Sequence, residues 1–107
     1  MTADLDLLKR LQDWYLAHCD GSWEHEHGVS IETLDNPGWH FTVELKETEL
    51  FNRKFDEVRF EGREKSDWYV CRVRSHVFEG FCGPLYLGQV IAVFLDWAAG
   101  AGRADGL

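Results

Sequence analysis

Between two runs of alternating apolar and polar residues lies Asn36-Pro37-Gly38-Trp39, and this turn signal constrains the fold more than any other stretch of the chain. Upstream, Val29, Ile31 and Thr33 alternate with Ser30 and Glu32; downstream, Phe41, Val43 and Leu45 alternate with Thr42 and Glu44. A period of two puts each apolar set on one face of an extended strand, so the segment predicts an antiparallel hairpin. The proline presets the first turn dihedral, and Gly38 is expected to supply the positive φ that a type II turn requires. Such a turn presents Asp35, Asn36 and Trp39 together.

The flanks fill in the architecture. Over residues 4–18, Leu5, Leu8, Leu11, Leu16 and the Trp14-Tyr15 pair form a broad apolar stripe at helical spacing, with Asp4 as N-cap and Asp20-Gly21 as the stop. Residues 46–54 are polar apart from Leu50 and Phe51 and read as a loop. Val58 and Phe60 suggest a third strand, and residues 68–74 a fourth, whose apolar residues at both parities suit a central position. A fifth strand runs over residues 77–81. Gly83-Pro84 then opens a helix with proline in its first turn, and Leu87, Val90, Ile91, Phe94, Leu95 and Trp97 form its buried face. Gly100 and Gly102 end that helix, with a frayed tail over residues 100–107. The expected fold is α+β: one domain over residues 1–107, an antiparallel meander sheet of four to five strands flanked by an N-terminal and a C-terminal helix.

Composition excludes several functions. No apolar run reaches the roughly 20 residues that span a bilayer, and the opening MTADLDLLKR lacks the pattern of a signal peptide, so a cytoplasmic protein is expected. Cys19, Cys71 and Cys82 are odd in number and widely spaced, which argues for free thiols. A net charge of −8, from 19 acids against 11 lysines and arginines, repels nucleic acid and anionic membrane. A protein with a basic surface is the better partner. Proteins that hold phosphates carry such surfaces, and an acidic partner gains association rate against them through steering.

The segment CDGSWEHEHGVSIETLDNPGW crowds acids, histidines and tryptophans. Cys19, His25 and His27, with His18 or His40, invite a zinc reading, but the spacing lacks the paired ligands of structural zinc sites, and no metal or cofactor is expected. Cys19 beside its histidines, or Cys82 in VFEGFCGPL ahead of a helix start, offers a nucleophile for a cysteine-dependent enzyme, a sulfurtransferase or hydrolase. Against this, free cysteines are usually small buried residues. Glu24 and Glu26, two apart in a strand-like stretch, would share a face and repel unless a cation lies between them, and a partner's lysine or arginine would be that cation. Solvated charge is the plain alternative. Trp14 and Trp97 fall on helical apolar stripes, while Trp23, Trp39 and Trp68 either close a small core or anchor an interface.

CDGSWEHEHG followed by ETLDNPGW resembles the immunity protein 53 family of bacterial polymorphic toxin systems. Trp14-Tyr15, Asp67-Trp68, Phe78-Glu79-Gly80 and Phe94-Leu95-Asp96-Trp97 fall in the order that family has, so the likeness spans nearly the whole chain. It implies a non-catalytic protein that binds and silences a cognate toxin, without a metal. The docking residues expected from the crowded motif are Asp20, Trp23, Glu24, Glu26, Asp35, Asn36, Trp39 and Asp67.

Overall fold

Helical spacing at both ends and alternation between them produce three helices and one sheet. The computed structural model describes residues 2–100, in the order α1 (Thr2–His18), α2 (Trp23–Glu26), β1 (Val29–Leu34), β2 (Gly38–Glu44), β3 (Val58–Glu61), β4 (Trp68–Arg74), β5 (Val77–Cys82) and α3 (Leu87–Gly100). The expected frayed tail lies outside the described residues except for Gly100. All strand pairs are antiparallel, in the order β1-β2-β5-β4-β3. The meander therefore runs in two pieces, β1–β2 and β3–β4–β5, joined where β5 pairs with β2. The chain crosses from β2 to the far edge through the irregular segment expected after Leu45, which is held down by buried Leu45 and Leu50.

One face of the sheet is dry. Phe41 and Val43 of β2, Cys71 of β4, and Phe78 and Cys82 of β5 meet Val90, Ile91, Phe94 and Leu95 of α3 in one buried cluster. Phe94 packs near-perpendicular to Trp14 at 5.1 Å between ring centroids and lies 5.1 Å from Phe78. Gly80 lets the helix come this close, because a Cβ there would overlap Val90.

Three local expectations are corrected. Gly38 is not the left-handed residue of a type II turn: it pairs with Leu34 as the first residue of β2, the loop is Asp35 to Pro37, and Gly21 is the described glycine with positive φ (92°). Glycine is needed at 38 for space, since a Cβ would overlap the Cys82 carbonyl oxygen on β5. Pro84 does not open α3; it lies in a turn in which the Tyr86 N–H bonds the Gly83 carbonyl at 3.1 Å, and the helix starts at Leu87. At its other end the chain is helical from Thr2, so Asp4 lies within the first turn of α1 and is not its N-cap.

The stripe on α1 also differs. At about 100° per residue, Leu7, Leu11 and Trp14 lie along one line, and these three meet the core. Leu5, Leu8 and Leu16 point elsewhere and remain 66%, 49% and 69% exposed. Between β4 and β5, Ser75 and His76 both take positive φ (54° and 63°), the backbone of a two-residue type I′ hairpin loop. Stacking of His76 on Phe51 at 4.0 Å helps hold this loop without glycine.

Gly38→Ala is expected to cost about 1–3 kcal/mol in chemical unfolding, because strand backbone, not a mobile side chain, occupies the space. Gly28→Ala, where a Cβ meets nothing within 4 Å, should stay within about 0.5 kcal/mol of the parent.

Candidate functional site

Strand β2 divides the eight motif residues into two groups. Asp20, Trp23, Glu24 and Glu26 gather at its C-terminal end, where the Trp23 indole N–H donates to the Lys46 carbonyl at 2.9 Å and His27 Nδ1 meets Glu44 Oε1 at 2.8 Å. Asp35, Asn36, Trp39 and Asp67 lie at the other end, beside the β1–β2 and β3–β4 turns. Six strand steps of about 3.3 Å separate the two groups by roughly 20 Å.

Within the first group, a short loop closes on itself. Asp20 Oδ1 accepts the backbone N–H groups of Ser22 and Trp23, both at 2.9 Å, and the Glu24 carboxylate accepts those of Asp20 and Gly21 at 2.9 and 2.8 Å. The loop turns the chain into α2, so Glu24 and Glu26 are helical and not two apart on a strand. It also drives Trp23 inward: the side chain is 2% exposed, 5.9 Å from Trp14 in an edge-on contact. Trp23 is therefore a core residue and not an exposed anchor. Hydrogen bonds from Trp23 and Ser22 hold the Asp20 carboxyl below its ordinary range, and Glu24 is lowered by its own backbone N–H together with those of Asp20 and Gly21.

Acids from distant parts of the chain join this corner. Glu44 meets His27, and Glu49 Oε1 lies 2.8 Å from Nε2 of His18, whose Nδ1 lies 2.8 Å from the Trp14 carbonyl. A carboxylate oxygen each of Glu26 and Glu47 and a ring nitrogen of His27 lie within 4.8 Å of one another. Two exposed glutamates and an imidazole already engaged by Glu44 make an open donor set, and Cys19 is not part of it. The Cys19 thiol donates instead to the Tyr15 carbonyl at 3.3 Å. The corner thus carries Asp20, Glu24, Glu26, Glu44, Glu47 and Glu49. The last three are not legible as site residues in the sequence, where Glu44 reads as an ordinary polar strand position and the polar loop after Leu45 gives no sign of meeting α1 and α2.

At the opposite end, the Trp39 indole donates to the Pro84 carbonyl at 3.0 Å and its ring packs against the core. Asp67 Oδ2 accepts the Glu64 N–H at 3.3 Å, closing the β3–β4 turn. Asp35 and Asn36 are exposed. Asn36, Pro37, Lys65, Ser66 and Trp68 line a cleft of about 440 Å³ between the two turns. On the open face of the sheet, His40 stacks on Phe81 at 4.3 Å, and Arg72 donates to Glu79 at 2.8 Å with its guanidinium 5.3 Å from the Phe81 ring centre.

Both thiols on the sheet, Cys71 and Cys82, are free and buried. Burial pushes Cys82 up to about 11 and Cys71 up to about 12, the direction that suppresses the thiolate. Cys82 ends β5 and α3 starts only at Leu87, so the cysteine does not lead directly into the helix as the sequence suggests.

The family model of immunity protein 53 matches residues 8–99. The chain belongs to the immunity protein 53 family. No curated protein and no solved structure matches it. Membership supports an immunity function, implies a toxin partner in general and suggests a non-catalytic role. Among the described residues, no helix is long and apolar enough to cross a membrane.

Asp20→Ala should lower the melting temperature at neutral pH by removing the acceptor for two backbone N–H groups. A carboxyl lowered by folding stabilises above its unfolded value of about 4 and loses that contribution as pH falls through the folded value, so the gap between parent and variant should close in acid. With native protein near pH 7, alkylation should reach Cys19 first, and label Cys71 and Cys82 only after unfolding; rapid labelling of Cys82 would revive the cysteine-enzyme reading.

Proposed function

We propose that this immunity protein neutralises its cognate toxin in the cytoplasm of the producing cell by covering a basic surface of the toxin with the acidic corner around Trp23. The observation that carries this reading is the convergence of Asp20, Glu24, Glu26, Glu44, Glu47 and Glu49 from two separate chain segments, residues 20–26 and 44–49, against Lys46 and Arg53. Like charges held this close repel, and a cationic partner relieves the repulsion while gaining ion pairs. A nuclease, which holds phosphates with lysine and arginine, is the toxin class this surface suits. The buried tryptophan sets the shape of the corner and the carboxylates give it charge.

The eight motif residues then take different roles. Glu26 meets the toxin directly, while Asp20 and Glu24 present charge from a loop they also hold together. Asp35 and Asn36, with Trp39 and Asp67 fixing the turns beneath them, form a second contact at the far end of β2 for a partner broad enough to reach both.

Glu26 and Glu47 are the acids to reverse, because both are exposed and neither bonds the backbone of the loop. Glu26→Lys combined with Glu47→Lys should weaken toxin binding by more than the tenfold that about 1.4 kcal/mol represents, abolish protection of cells co-expressing the toxin, and leave the melting temperature nearly unchanged. Unchanged affinity and protection would move the site away from this corner.

A further inference from the structure

The two edges of the sheet are built differently. β3 is a four-residue strand, Val58–Glu61, with Arg59 paired to Glu57 at 2.7 Å, and short charged edges resist pairing with another chain. β1 is six residues long, Val-Ser-Ile-Glu-Thr-Leu, with neither lysine nor proline. Its unsatisfied backbone can be located from the ladder. The Glu44 N–H donates to the Gly28 carbonyl at 3.0 Å, and the register continues through Ser30↔Thr42 and Glu32↔His40. In an antiparallel pair the bonded positions alternate, so residues 28, 30 and 32 bond β2, while Val29, Ile31 and Thr33 direct their N–H and C=O groups toward the free edge.

The side chains of those same three residues lie on the helix side of the sheet, in register with Val43, Phe41 and Trp39. Among the described residues no helix covers all of them: Ile31 is 42% exposed. Beside them, Leu11, Gln12 and Tyr15 of α1 and His27, Gly28 and Val29 line an apolar cavity of about 420 Å³. α1 enters the acidic corner and β1 leaves it, so the two run in opposite directions. Continuing from the cavity toward the start of α1 come Leu8 and Leu5, 49% and 66% exposed. The outward flank of α1 and the free edge of β1 thus form the two walls of one groove, and His27 joins that groove to the acidic corner through Glu44.

We propose that this groove takes an extended segment of the toxin, added to β1 as a sixth strand, in which apolar residues alternate with lysine or arginine. Residues opposite Val29, Ile31 and Thr33 would enter the apolar groove under α1; those opposite Ser30 and Glu32 would meet the open face, where Glu32 favours a cation directly across. Charge disfavours a second copy of this chain as the occupant. Edge-to-edge pairing would set the Glu32 residues of two chains close together, each chain carrying a net charge of −8. The inference rests on the immunity reading and adds to it which backbone the toxin engages and what sequence pattern it brings.

Ile31→Pro tests it, since its N–H faces the open edge and proline is tolerated there without breaking the β1–β2 ladder. The inactivated toxin domain encoded by the neighbouring gene is titrated onto the parent, Ile31→Pro and Ile31→Lys, and amide hydrogen exchange is followed in the parent complex. The expected result is parent-like melting for both variants, at least tenfold weaker binding by each, and slowed exchange at Val29, Ile31 and Thr33 on complex formation. If Ile31→Pro fails to fold, Ile31→Lys and the exchange data decide. Full affinity in the variants with unchanged exchange along β1 would overturn the groove while leaving the immunity reading intact; no binding by the parent would sink both. A parent that is a dimer alone, split by Ile31→Pro, would identify a second copy as the occupant and overturn the proposal.

Discussion

Burial of Trp23 is the constraint on which the acidic corner depends. Its ring fills the space beside Trp14 of α1, and its indole N–H reaches the Lys46 carbonyl just beyond β2, so one side chain ties together α1, α2 and the crossover. Truncating a tryptophan in such a position typically costs about 3–5 kcal/mol. The polar loop ahead of it, closed by Asp20 and Glu24, has the job of delivering that ring. Charge follows from this packing: with Trp23 seated, α2 carries Glu26 outward and the crossover brings Glu47 and Glu49 to the same place.

A small domain faces competing demands here. Holding many carboxylates together costs stability through repulsion, and the fold offsets this locally with backbone N–H donors, with His18 and His27, and with Arg53 near Glu49. What remains uncompensated is directed at solvent and available to a cationic partner. The sheet shows the same division of labour. Its dry face, packed on α3, supplies stability, whereas its long β1 edge and the outward flank of α1 are left without partners among the described residues.

Much of the fold was legible because local signals agreed with each other. The first three strands follow from period-two alternation, the fourth from apolar residues at both parities, and both long helices from helical spacing; the fifth strand and the loop after Leu45 fall where the sequence places them. Errors arose where a residue answers to a distant neighbour. Gly38 reads as a turn residue, yet its cause is the carbonyl of Cys82, more than forty positions away; Pro84 reads as a helix start, yet its carbonyl serves Trp39. On α1 the leucines were counted as one stripe although helical geometry separates them, and only packing shows which line the core selects. For the site, sequence crowding located the motif but merged two functions within it. Asp20, Trp23 and Glu24 shape the corner, Glu26 faces outward, Glu44 ends β2, and Glu47 and Glu49 arrive through a crossover that periodicity does not describe.

The central claim is that the Trp23 corner meets the toxin through charge, and the association rate with the inactivated toxin, followed across ionic strength by stopped flow, tests it most directly. Steering by a convergent acidic surface predicts fast association that slows steeply as salt rises, with the dissociation rate changing far less. An association rate that is indifferent to salt would contradict the account, because it would mean that the acids gathered around Trp23 play no part in the encounter.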